Sequence, residues 1–128
     1  MSEMSNYLEN ALLNGTLRNT AYTPPSNIYV ALFTSDPTDA GTGTQVSGGS
    51  YARTAVTFAA PSDGVSLSNA DVTFPTATAS WGLVGWIGLF DALTSGNMLY
   101  YTPLDIAKQI DTGDIFKISS GNLSVALA

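Results

Sequence analysis

Few side chains in this sequence can do chemistry, and those few are scattered. Asp91 is the one charged residue in the stretch WGLVGWIGLFDALTSGNMLYYTPL, residues 81–104. A lone carboxylate can serve as an acid or a ligand. Aspartate ahead of a Thr-Ser-Gly cluster is also a preferred turn residue, and that is the reading adopted. Asp111 and Asp114 lie three apart around Gly113. A calcium loop needs three or more oxygen ligands at defined spacing, so a plain turn is expected there. Arg53, alone in a β-type run, is expected to be a structural hydrogen-bond donor.

The aromatic residues are the sharper candidates. Trp81, Trp86, Tyr100 and Tyr101 could stack on a sugar or a base, but cores and subunit interfaces use the same rings. Core plus interface is the reading adopted, with Tyr29, Phe33, Trp81, Trp86, Phe90, Tyr100 and Tyr101 as interface candidates. The sequence contains no cysteine and no histidine. That removes thiolate nucleophiles, disulfides, the Ser-His-Asp relay and the commonest zinc ligands. No phosphate-cradling glycine loop or paired-acid constellation is present. No catalytic, cofactor-binding or metal-binding residue is therefore assigned, no cofactor is expected, and the chain is not expected to be an enzyme.

These residues sit in a chain of 128, which fits one domain spanning residues 1–128. Ten acidic and four basic residues give a net charge of −6. With no basic cluster, neither nucleic acid nor anionic membrane is an expected partner. Charged residues make up only 11% of the chain, against roughly 25% in ordinary soluble domains. Solubility must rest on Ser, Thr, Asn and Gly, as in extracellular or particle-bound β-proteins. The N-terminus lacks the pattern of a secretory signal, and no apolar run approaches a membrane span, so synthesis in a cytoplasm is expected.

The elements follow from periodicity. Met4, Tyr7, Leu8, Ala11 and Leu12 fall at helical spacing, with Ser2, Ser5 or Asn6 as the cap and Gly15 as the stop, giving a helical arm over residues 1–18. After it come β-type runs at 27–34, 51–59, 65–75, 81–92, 97–103, 115–119 and 122–127. The 65–75 run passes through a Ser-Asn-Ala-Asp kink. The pairs 81–92/97–103 and 115–119/122–127 read as hairpins. A Gly/Thr-rich loop at 36–50 is long for a compact domain, and such loops are commonly functional or disordered. The fold class is all-β: a β-sandwich of about seven to eight short strands with one N-terminal α-helix.

Two strands are apolar on both faces. Ile28, Val30 and Leu32 oppose Tyr29, Ala31 and Phe33, while Leu83, Ile87 and Leu89 oppose Val84, Trp86 and Phe90. A two-layer sandwich buries one face of each sheet, so the helix and a neighbouring subunit are expected to cover the rest.

Over nearly its whole length the sequence resembles small tailed-phage virion proteins, often described as tail-fibre proteins, some of which are capsid decoration or cement proteins. The resemblance rests on YVALFTSDPT, YARTAVTFAAP and TGDIFKISSGNLSVALA. Its most specific part is Trp81-Gly82 with Ile87-Gly88-Leu89-Phe90-Asp91-Ala92, Gly96-Asn97 and Gly113-Asp114. Relatives commonly carry Thr-His where this chain has Gly85-Trp86, so Trp86 reads as added apolar contact. The resemblance implies a β-sandwich located in the virion, frequently a homotrimer, with the major capsid protein or other virion proteins as partners. Because the chain ends soon after its last strand with no stalk or fibrous repeat, the expectation is a capsid decoration protein. On this view residues 36–50 and the helix grip the shell. The alternative is a tail-fibre or receptor-binding module recognising a host-surface glycan, and a hydrolase working through acidic residues alone is the weakest reading.

Overall fold

The computed structural model describes residues 2–127. In chain order the elements are β1 (Glu3–Met4), α1 (Asn6–Leu17), β2 (Ile28–Phe33), β3 (Thr54–Val56), β4 (Val65–Leu67), β5 (Val72–Thr73), β6 (Gly82–Phe90), β7 (Met98–Ile110), β8 (Lys117–Ile118) and β9 (Ser124–Ala126). An antiparallel five-stranded sheet runs in the order β1-β7-β6-β2-β3, and two two-stranded pairs, β4-β9 and β5-β8, form the second layer. The all-β reading with one helix stands.

The second layer is one broken ribbon. Val65 faces Ala126 and Val72 faces Ile118. Between them the Ser68 amide donates to the Leu123 carbonyl (2.9 Å), and the Gly121 amide donates to Ser68 O (2.8 Å). The Asp71 carboxylate accepts from the Ser120 amide at 2.8 Å. The kink expected in 65–75 is there, but the hairpin expected for 115–127 is not. Residues 119–122 do turn, yet β8 and β9 each pair with the earlier segment, because Ser68 and Asp71 take the polar groups at the turn.

The core fills the space between the layers. Val30, Leu32, Val84, Ile87 and Leu89 from the sheet meet Val72, Phe74, Phe116 and Leu123. Each such side chain contributes roughly 1.5–3 kcal/mol on full burial. Phe74 stands edge-on to both Trp81 and Phe116. The Trp81 indole N–H reaches the Gly49 carbonyl at 2.9 Å, so its polar atom is satisfied where it is buried.

Ser5 caps the helix. Its Oγ accepts from the Leu8 amide at 3.2 Å and donates to the Met98 carbonyl, pinning the helix start to β7. Met4 belongs to β1 instead of the helix, because pairing with Tyr100 across the β7 edge satisfies its backbone. Gly15 is not the stop either. The helix continues to Leu17, and Asn19 at φ 54° takes the left-handed position, while the Thr20 amide returns to the Asn14 carbonyl at 3.1 Å. The strand expected at 97–103 extends to Ile110, with residues 104–107 bulging out opposite Gly85. That bulge places Val84 in the core and Trp86 on the other face of the sheet.

Much of the outer face of the sheet is covered by the chain itself. Ala31, Phe33, Phe90, Met98 and Tyr101 form a second buried cluster, with Trp86 at its margin. The 36–50 loop folds over it, stitched by bonds from Thr34 N to Thr44 O (2.9 Å) and Val46 N to Leu32 O (2.9 Å), with Pro37 fully buried. Far from loose, this loop is part of the packing. Tyr29 and Trp86 stay half-buried on this face.

Candidate functional site

Arg53 organises one cleft of the surface. It precedes β3 and is 9% exposed. Its guanidinium lies 3.8 Å from the centre of the Phe90 ring. Nη1 donates to the Ala92 carbonyl (2.9 Å) and the Ser95 carbonyl (2.7 Å), while Nη2 donates to Gln45 Oε1 (3.0 Å). Burial pushes its pKa down, with Tyr51 and Asp91 opposing that shift. The expected structural donor role is what the geometry shows: Arg53 ties the 36–50 loop to the β6–β7 turn.

That turn is set by Asp91. Its Oδ1 accepts from the Asn97 amide at 2.7 Å, and Oδ2 from the Asn97 side-chain amide at 3.1 Å. Gly96 has φ +72°, and a Cβ there would stand 2.5 Å from Asp91 Oδ1. Asp114 does the same work at the next turn, accepting from the Asp111 amide at 2.9 Å. Both carboxylates act as turn formers.

Between loop and turn lies a cleft of about 500 Å³, lined by Gln45, Ser47, Tyr51, Arg53, Thr94 and Ser95 among others. The Tyr51 hydroxyl accepts from the Leu32 amide (3.0 Å) and from Gln45 Nε2 (2.7 Å), replacing a strand at this part of the β2 edge. Burial raises the Tyr51 pKa, and those two bonds and Arg53 oppose the rise.

The sequence-derived aromatic candidates divide. Phe33, Trp81, Phe90 and Tyr101 are buried within the chain and present no free ring face. Tyr29, Trp86 and Tyr100 are half-buried. Trp86 leans on Tyr101 with ring centres 6.3 Å apart. The Tyr101 hydroxyl donates to the Asp39 carboxylate, and burial with the nearby Asp39 and Glu3 carboxylates drives its pKa far up. Tyr100 lines a separate apolar groove of about 230 Å³ with Ile28, Phe58, Leu89 and Val125. The aromatics thus form no single platform. Gln45 and Tyr51, which shape the cleft, escaped the sequence reading; the length of the 36–50 loop was a signal for Gln45 alone.

Among the described residues no cluster of three or more acidic groups is placed to hold a metal ion. Among those residues no helix is long and apolar enough to cross a membrane. A family model described as "Podophage GP4 fiber I protein gp80" matches residues 3–126 of the chain. No curated protein matches it.

Proposed function

The chain belongs to the family of podophage GP4 fiber I protein gp80, a family of tailed-phage virion proteins, and from that premise we propose that it is a subunit of the phage fibre that meets the host surface. The observation that carries this reading is the extent of the match, residues 3–126, which takes in the helix, the sheet and the ribbon. The unit described by a fibre name is therefore the whole fold. The chain acts by binding, with other fibre subunits and further copies of itself, as a trimer, for partners. The cleft between the 36–50 loop and the β6–β7 turn is its contact site.

Capsid decoration is the second reading. It is favoured by apolar side chains left exposed, among them Leu13 and Leu17 on the helix and Ile106 on the bulge. Much of the apolar outer sheet face is occupied by the chain's own 36–50 loop. Particles made without this protein separate the readings. A fibre subunit leaves shells that keep their DNA on heating but adsorb poorly. Normal adsorption with DNA loss at lower temperature would replace the fibre reading with decoration.

A further inference from the structure

Arg53 is the one cationic residue that the fold buries, since Arg18, Lys108 and Lys117 are all exposed. Among the described residues no carboxylate lies at ion-pair distance from Arg53, and the ion pair there joins Lys117 and Asp71. The hydrogen-bond acceptors of Arg53 are all neutral, and Asp91 acts on its charge only from beyond ion-pair distance. Donors are also left over. A guanidinium carries five N–H groups, and the bonds to Ala92, Ser95 and Gln45 use three of them. The Nε–H is buried with no acceptor.

The neighbouring groups share that surplus. Gln45 must turn its carbonyl to Arg53, so its amide nitrogen faces Tyr51 and donates. The Leu32 amide donates to the same hydroxyl. Tyr51 therefore accepts twice, and its own proton has no acceptor among the described residues. The cleft wall adds the hydroxyls of Ser47, Thr94 and Ser95, with Leu93 and Ala52 as apolar surface. Such a site holds positive charge and spare donors, and it lacks anionic acceptors.

We infer that this cleft binds a carboxylate-bearing sugar, a uronic acid unit of a host-surface polysaccharide. The carboxylate takes the one unspent Nη2–H and the Tyr51 hydroxyl proton, the ring hydroxyls match the Ser and Thr rim, and Leu93 and Ala52 meet the sugar's C–H face. The inference rests on the proposed host-contact role and gives it a ligand class.

The test is a titration of the ¹⁵N-labelled full chain with sodium glucuronate, glucose and inorganic phosphate. The readouts are the amides of residues 45–53 and 93–95 and the Arg53 Nε–H signal. Glucuronate should move these signals about tenfold more effectively than glucose, as the loss of a charge-assisted pair dictates. Added salt should weaken the response. Thr94→Trp, on the exposed rim, should block the cleft and abolish the response while signals elsewhere show an intact fold. Arg53→Gln should abolish it as well. Equal responses to glucose and glucuronate, an equal response to phosphate, or an undiminished response in Thr94→Trp would each overturn the assignment. Protein found on the fibre without a glucuronate response sinks this inference alone. A glucuronate response from protein found on the shell sinks the fibre reading alone.

Discussion

Replacing Arg53 with alanine removes three hydrogen bonds from a charged donor and a cation stacked on Phe90. Bonds to charged groups are worth about 1.5–3 kcal/mol when buried. Here the Ala92 and Ser95 carbonyls lie in a turn that water can reach, so about 1 kcal/mol each is the better figure. The stacking adds about 0.5–1 kcal/mol. Against these stands the cost of burying a guanidinium without a carboxylate, of which about 1 kcal/mol is recovered on truncation. The net loss should be about 2–3 kcal/mol. For a chain of this size that corresponds to a fall in Tm of roughly 7–11 °C. Urea unfolding followed by tryptophan fluorescence reads it directly, with Arg53→Met as a control that keeps apolar packing over Phe90. A loss below about 0.5 kcal/mol, or a gain, would refute the idea that Arg53 clamps the loop to the turn.

Gly96→Ala should cost about 2–3 kcal/mol in the same assay, combining left-handed strain with displacement of the Asp91 carboxylate; an unchanged midpoint would contradict the turn geometry. Trp86→Ala should cost about 2 kcal/mol, below the ~3–5 of a fully buried aromatic, because Trp86 lies at the cluster margin. A loss as large as that of Trp81→Ala would show that its exposed face is covered. Tyr101 holds its proton more tightly in the folded state than in the unfolded one, where it titrates near 10.0. Its contribution is therefore full below pH 10 and is lost as pH rises beyond it. Tyr101→Phe should flatten, without abolishing, the alkaline fall in stability, since Tyr51 and Tyr100 are shifted the same way.

What the sequence made legible follows the strength of the local signals. The 81–92/97–103 hairpin was readable because Asp91, Gly96 and Asn97 supply turn chemistry between two apolar runs. The Ser5 cap was one of three possibilities, since Ser2, Ser5 and Asn6 all offer a capping oxygen. Only tertiary contact with Met98 singles out Ser5. The 115–127 hairpin was misread because Ser120-Gly121 is a valid turn whichever strands flank it. The partner segments lie about fifty residues earlier, at Ser68 and Asp71. The cover of the outer sheet face was invisible for a similar reason. Arg53 reaches Ala92 and Ser95 across 39 and 42 residues, a pairing that no periodicity encodes. The cleft is a consequence of that reach, so Gln45 and Tyr51 could not be ranked from the sequence.

The central claim is location on the fibre, and direct imaging tests it. Antibody to this protein, gold-labelled and viewed on intact virions, should decorate the fibres and leave the capsid shell bare. Regular labelling over the shell, with unlabelled fibres, would contradict the account and restore the decoration reading.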